Sequence, residues 1–256
     1  MTESVNAGIQ SQFGAAASAY VTSAVHASGP DLKAMVEAAA LTGAEHVLDI
    51  GSGAGHAACA VAPRAASVTG IDITPEMVAV ASGVARERGL RNVTFQTGDV
   101  AALPFEDCRF DLVTSRLSAH HYTDPAAALR EVWRVLRPGG RFLLIDCIAP
   151  EDAALDTFFN CFELLRDSSH VRDWRGSEWL RMLAAAGFEA QMRERFAIPL
   201  DGDAWVKRMQ TPAQKVAMIR TLFAEASLAH RRAFDLRDEP WGLSMPFGFF
   251  QALKTA

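Results

Sequence analysis

Three carboxylates and a run of glycines stand where the chain could hold a small charged ligand. Residues 47–56 read VLDIGSGAGH, so that Gly51, Gly53 and Gly55 alternate behind Asp49, with Ser52 adding a hydroxyl. Glycines between a strand and a helix permit a tight turn and bring backbone N–H groups close to a ligand. Nucleotide folds share such loops, and the neighbouring acids narrow the choice. Asp49 occupies a place that a pyrophosphate-binding loop keeps apolar, because a carboxylate would repel the phosphates. It suits a cation such as an ammonium or a sulfonium. Asp72 comes 21 residues after Gly51 and can accept both hydroxyls of a ribose. Asp99, in Gly98-Asp99-Val100, can read the amino edge of adenine while the next N–H meets a ring nitrogen. Each acid alone has an ordinary use as a cap or an Asx-turn. Three of them, each ending a different apolar run, favour a ligand site.

A second group lies further along, in Ser115-Arg116-Leu117-Ser118-Ala119-His120-His121-Tyr122. Histidine changes charge near neutral pH and is suited to taking a proton from a reacting group. Asp146 ends another apolar run and could orient an imidazole or bind a hydroxyl. The cysteines Cys59, Cys108, Cys147 and Cys161 make no CxxC pair and no Cys/His ligand spacing, so no metal site is expected. Each is expected as a small buried residue.

These residues need a scaffold that sets them side by side. The runs His46–Ile50, Ser67–Asp72, 92–96, 110–114 and 141–147 read as buried strands. Helical periods separate them: one over 54–61, one opening at Thr74-Pro75-Glu76 and one at Asp124-Pro125. In the last two, a capping side chain precedes a proline at the first helical position. Arg137-Pro138-Gly139-Gly140 turns the chain before the fifth strand. Strands alternating with helices predict right-handed crossovers and a parallel sheet, with ligands outside the carboxyl ends of the strands.

Upstream, residues 1–30 are polar, with Phe13, Tyr20, Val21 and Val25 as sparse anchors of a loosely held helix. An amphipathic helix follows to Leu41, stopped by Gly43. Downstream, helices are expected over 151–170 and 177–186, and a sixth strand over 188–196. The last strand is placed near 247–253, starting after Pro246 or bulging there, because proline removes a ladder donor.

The chain has 256 residues, 50% apolar and 21% charged, with a net charge of −5. That composition excludes a disordered chain and argues against nonspecific nucleic-acid binding, which needs clustered Lys and Arg. No run approaches the roughly 18 apolar residues of a membrane helix, and the N-terminus lacks the pattern of a secretory signal. A cytoplasmic protein is expected, as a monomer or homodimer.

The stretches VLDIGSGAGH, GID (70–72), GDVAALPF (98–105) and FDLVTSRLSAHHYTDPAAALREVWRVLRPGGRFLLID (110–146) resemble the class I S-adenosylmethionine (SAM)-dependent methyltransferases, in the branch similar to the ubiquinone/menaquinone-biosynthesis C-methyltransferases (UbiE-like). The resemblance implies a Rossmann-like, doubly wound α/β fold with a seven-stranded sheet whose last strand is antiparallel. It implies SAM as cofactor, with Asp49, Gly51, Ser52, Gly53 and Gly55 at its methionine part and Asp72 at the ribose. Asp99 and Val100 would meet the adenine between Ile73 and Met77. Ser115, Arg116 and Tyr20 are added to this set, Tyr20 from a segment that folds over the cofactor. His120, His121 and Asp146 resemble catalytic groups of small-molecule O-methyltransferases, and the base role falls first on His120. Methyl transfer is an in-line displacement, so the protein mainly aligns the partners.

The expected organisation is one methyltransferase domain over 1–256. Residues 1–43 lie over the cofactor, 44–147 form the SAM-binding core, and 148–187 and 197–242 are helical insertions capping the substrate. The latter gap far exceeds a usual hairpin connection. No DNA- or glutamine-type amino-methyltransferase motif follows the fourth strand, so a small, partly apolar, aromatic or enolic acceptor is expected, methylated at O, C or N. Two other readings stand beside this one. In the first, a SAM-fold protein keeps SAM as a structural ligand while it binds or isomerises a small molecule. In the second, an NAD-dependent oxidoreductase uses the same fold, with Asp49 speaking against it.

Overall fold

The computed structural model describes residues 2–21 and 27–255, apart from the side chains of 2–4, 15, 16 and 18–21. The first half alternates as predicted. Helices α1 (Thr2–Val21) and α2 (Pro30–Ala39) lead into β1 (His46–Ile50), α3 (His56–Val61), β2 (Ser67–Asp72), α4 (Pro75–Glu87) and β3 (Val93–Thr97). Then come β4 (Phe110–Arg116), α5 (Pro125–Val135) and β5 (Leu136–Cys147). The sheet order is β3-β2-β1-β4-β5-β8-β6, and β1 to β5 run parallel. Strand β8 (Trp241–Leu253) runs antiparallel to both β5 and β6 (Glu189–Asp201). The two-residue β7 (Arg237–Asp238) pairs only with the start of β8. This is the Rossmann-like sheet with an antiparallel last strand that the resemblance implies, with a helical insertion between its last two long strands.

Alternation along the strands places the core on both faces. Leu48, Ile50, Val113, Leu144 and Phe250 face Leu129 and Val132 of α5 and Trp179 and Leu183 of α7 (Gly176–Ala185). Val47, Leu112, Leu143, Ile145 and Phe249 face Met35 and Ala39 of α2 and Ala58 and Val61 of α3. Strands covered on both sides read as continuous apolar runs, which is why β1, β4 and β5 are so plain in the sequence. Asp124 caps α5 by accepting from Ala127 N at 2.8 Å.

Four expectations change. The last strand begins at Trp241, and Pro246 lies inside it, paired opposite Ala197. Its carbonyl accepts from Ile148 N, past the last residue of β5. The nitrogen of a strand residue points the same way as its carbonyl, so the missing N–H forgoes only the return bond to Ile148 beyond the end of β5 and leaves the ladder with β6 intact. Strand β6 likewise continues to Asp201, so the insertion between the strands spans 202–240 and not 197–242. It holds α8 (Gly202–Arg208), α9 (Ala213–Ala224) and α10 (Leu228–Ala233). Helix α7 packs on the sheet core, so of residues 148–187 only the part around α6 (Ala153–Arg166) stands with the insertion. Finally, Cys59 and Cys147 are buried but Cys108 and Cys161 are exposed, all four free.

Most aromatic residues of α6 and the insertion form a second core. Phe159, Phe162, Trp205, Phe223 and Phe234 are at most 2% exposed and pack edge to face or stacked, with ring centroids 5.2–5.9 Å apart in the Phe159–Phe162, Phe159–Phe234, Phe162–Phe223 and Phe162–Trp205 pairs. No described helix is long and apolar enough to cross a membrane.

Candidate active site

A cleft of about 1030 Å³ opens at the carboxyl ends of β1, β2 and β4. Its floor is the glycine loop. Gly51 (φ +60°), Gly53 (φ +50°) and Gly55 (φ +80°) all adopt the left-handed conformation that glycine tolerates best. A Cβ on Gly51 would stand 2.5 Å from Ser118 Oγ, so this residue lets the loop close on the segment after β4. Gly55 lies off the cleft. A side chain there would meet Phe95 and Ala81 under 3.0 Å, so this glycine serves packing. Ser52 lines the cleft, and its buried Oγ has no hydrogen-bond partner among the described residues.

The acids stand where the strand ends put them. Asp49 is 1% exposed. Its Oδ1 accepts from Thr114 Oγ1 at 2.7 Å and its Oδ2 from Ala58 N at 3.1 Å. Burial raises its pKa to about 6, only partly offset by those bonds. Asp72 accepts from Gly53 N at 2.8 Å and Thr74 N at 2.9 Å, tying the glycine loop to the start of α4. Burial pushes its pKa upward as well. Asp99 closes an Asx-turn on Ala101 N and accepts from Asn6 Nδ2 at 3.2 Å. Ile73, Met77 and Val100 line the same cleft.

Helix α1 closes the top. Asn6, Ile9 and Phe13 face the cleft, and Gln10 donates to the Ile73 carbonyl at 2.8 Å. Only Phe13 of these was singled out in the sequence, as an anchor. The missed signal is the i, i+3, i+4, i+7 spacing of Asn6, Ile9, Gln10 and Phe13, which puts all four on one face. The side chain of Tyr20 falls outside the described residues.

The segment after β4 separates two cavities. A chamber of about 530 Å³ lies beyond the cleft, and Phe13, Leu117 and His121 line both. His120 lines the chamber alone. Its Nδ1 lies 2.6 Å from Asp146 Oδ1, and its backbone N donates to Asp146 Oδ2 at 3.0 Å. Burial disfavours its charged form, but Asp146 and the nearby Asp173 and Glu163 prevail and raise its pKa to about 9. Asp146 reaches neither cavity and acts through His120. His121 is held by the Ser169 carbonyl, 3.0 Å from Nδ1, with Asp167 Oδ2 3.8 Å from Nε2. Burial and the charged neighbour His120 lower its pKa to about 4. The backbone carbonyl of His120 accepts from Val171 N and Arg172 N, so the loop after α6 holds the pair in place.

Two other expected residues act differently. Ser115 is off the cleft, and its hydroxyl pairs with Ser118 Oγ and Tyr122 OH. Arg116 does line the cleft, while its Nε donates to Asp31 Oδ2 at 2.6 Å in a buried pair that pins α2 to β4. The chamber's polar wall, made of Glu163, Arg166, Asp167 and Arg208, went unread in the sequence.

Comparison with known proteins places this architecture. The family profile described as "Methyltransferase domain" matches residues 41–187. The chain is 44% identical over 225 residues to the uncharacterized methyltransferase YcgJ of Bacillus subtilis, covering 88% of this chain and 89% of that one. The YcgJ crystal structure superposes with a TM-score of 0.85 at 41% identity, over 88% of this chain and 98% of that one. A candidate methyltransferase from Bacillus halodurans gives a TM-score of 0.86 at 35% identity, over 89% and 100%. A shorter stretch, 46% of this chain and 54% of the relative, is 37% identical to the demethylmenaquinone methyltransferase of Thermus thermophilus. The chain belongs to the methyltransferase-domain family and is a class I SAM-dependent methyltransferase related to YcgJ.

Proposed function

We propose that the chain transfers the methyl group of SAM, held in the cleft, to a small molecule held in the chamber, across the partition made by Phe13, Leu117 and His121. The carrying observation is that partition: two cavities of different character meet at three residues, one of them a histidine. Bound SAM supplies a methyl group on a sulfonium, whose departure needs no acid. The cleft's own features suit it. Ser52 Oγ is a buried polar atom without a partner. Gly51 lets the Ser118 side chain close against the glycine loop, where a Cβ would clash. Asp49 lies within the cleft with its carboxyl desolvated, a placement matched to a cationic ligand. Asp72 meets the ribose, Asp99 the adenine edge, and Ile73 and Met77 the faces of the ring.

The histidines divide the chemistry. His121 is neutral at pH 7 and touches both cavities, so it takes the acceptor's proton. Donation of Nδ1–H to the Ser169 carbonyl leaves Nε2 free, and Asp167 stabilises the imidazolium that forms. His120, paired with Asp146, is the protonated neighbour that favours negative charge on the acceptor. This reverses the sequence expectation, which gave the base role first to His120.

The acceptor suits the chamber through an apolar body against Leu117, Trp205 and Phe247 and a polar end toward Glu163, Arg166 and Arg208. An aromatic or enolic compound has that form, which is also the reading of a UbiE-like branch. Residues 1–43 over the cofactor, 44–147 as its core, and α6 with the 202–240 insertion as the cap complete the organisation of one domain, working as a cytoplasmic monomer or homodimer. The test is incubation with methyl-labelled SAM and fractionated metabolite extract. Label in a small product confirms transfer. Saturable SAM binding with no labelled product across a broad acceptor panel overturns it, and tight NAD binding without SAM binding replaces it by the oxidoreductase reading.

A further inference from the structure

From Glu163 in the chamber wall, α6 and the loop after it carry a buried cluster of titratable groups inward. Glu163, His170 and Asp173 are 2%, 7% and 0% exposed. One ligand atom from each lies within 4.8 Å of the other two. Both carboxylate oxygens of Asp173, Oε1 of Glu163 and Nδ1 of His170 are buried without a hydrogen-bond partner among the described residues. Asp173 Oδ2 stands 3.9 Å from His170 Nε2, and burial pushes the pKa of both carboxyls up. A buried carboxylate with neither oxygen hydrogen-bonded is costly, and proteins resolve that cost by protonation, by pairing or by a metal.

We propose that Glu163, His170 and Asp173 bind one divalent transition-metal ion. An imidazole with two carboxylates suits Zn²⁺ or Mn²⁺, while Mg²⁺ and Ca²⁺ prefer oxygen alone. Ligand atoms of a tetrahedral ion with bonds near 2.1 Å stand about 3.4 Å apart, so a small inward movement of the three side chains completes the set. An outer shell is already built around them. Asn160 Oδ1 receives His170 Nε2 at 3.1 Å and Asp173 N at 2.8 Å, fixing both ligands to α6. A second triple, His120, Cys147 and Asp173, also meets the distance condition. It is the lesser candidate because only in the first triple does every residue carry a buried polar atom without a hydrogen-bond partner among the described residues.

The ion would act by position. It joins α6 to the loop 167–175, and that loop supplies the Ser169 and Asp167 contacts of His121 and the two N–H groups on the His120 carbonyl. The ion therefore acts on the partition between cofactor and acceptor through the loop that holds the two histidines.

The test uses the full chain, stripped with chelator and dialysed, and does not depend on methyl transfer. Titration with Zn²⁺ and with Mn²⁺ by calorimetry, with metal content by mass spectrometry, reads the stoichiometry. The expected result is one tightly bound ion per chain and a rise in melting temperature that chelator reverses. Asp173→Asn keeps the shape and removes a buried charge. It is expected to melt no lower than the stripped wild type while losing the metal-induced rise, with at least tenfold weaker binding. Glu163→Gln should weaken binding in the same sense. Wild-type protein that binds neither ion at one per chain overturns the proposal, as does equal binding by Asp173→Asn. SAM binding measured on the same samples stays unchanged in either outcome, so a failure here is distinct from a failure of the cofactor site.

Discussion

In the cleft, Asp49, Asp72 and Asp99 each end or closely follow a strand of one parallel sheet, and the loop beneath them is continuous in sequence. In the chamber, Glu163 and Arg166 come from α6, Arg208 from α8 and Phe247 from β8, and only the packing of the insertion brings them together. The cleft is thus set by strand ends, whose positions follow from the sheet. The chamber is set by a second core that could be repacked without moving the sheet. Changes in the first should alter SAM affinity, and changes in the second should alter turnover and acceptor choice.

His121 sits on the border, so it gives the sharpest separation. Removing a general base costs roughly 10²–10⁴ in rate. His121→Ala is expected to lose that much turnover while SAM affinity by calorimetry changes little. A comparable loss in affinity would move His121 to the cleft's side of the comparison. His120→Ala should cost less, because its protonated ring assists charge and takes no proton.

Gly51→Ala attacks the cleft alone. A non-glycine residue at positive φ costs about 1–2 kcal/mol, and the contact with Ser118 adds overpacking of about 1–3 kcal/mol. If the site takes up that strain on closing around SAM, affinity falls roughly 30- to 4000-fold. Asp72→Ala comes next. A lost buried acceptor is worth about 1–3 kcal/mol, roughly 5- to 150-fold in SAM dissociation constant. Unchanged affinity would remove the ribose role and leave Asp72 as the tie between Gly53 and Thr74.

The same contrast explains what could be read in advance. Asp49, Asp72 and Asp99 were legible because a parallel sheet turns each strand end into a site position. The parallel strands were legible because runs buried on both faces have few other readings. Ser115 and Gly55 lie beside the site in sequence, but their side of the strand or turn faces packing, and motif spacing alone does not report that. The chamber was illegible because Glu163 and Arg208 are 45 residues apart and neither stands in a local pattern of its own. Glu163, His170 and Asp173 were passed over for another reason. Cys/His spacing rules look for paired cysteines and histidines, whereas two of these three are carboxylates, and acids on a helix and in the loop after it read as solvated surface.

Acid titration gives the finest probe of the cleft. Burial raises the folded-state pKa of Asp49 from 3.8 to about 6, so ligand-free protein holds this proton more tightly than unfolded chain does. Its contribution to stability is therefore greatest below pH 4 and is lost as pH rises through 6, a difference of about 3 kcal/mol. A cationic ligand beside Asp49 favours the ionised form and must release that proton in order to bind below pH 6. SAM affinity is then expected to fall about tenfold between pH 7 and pH 5, with proton release visible as a buffer-dependent heat. Asp49→Asn should flatten the profile, and a slope that survives the substitution would assign it to another group. S-adenosylhomocysteine, which keeps the ammonium but lacks the sulfonium charge, separates the two cations. An equal slope places Asp49 at the ammonium, and a shallower one places it within reach of the sulfur, where a carboxylate would bear on the reacting methyl itself.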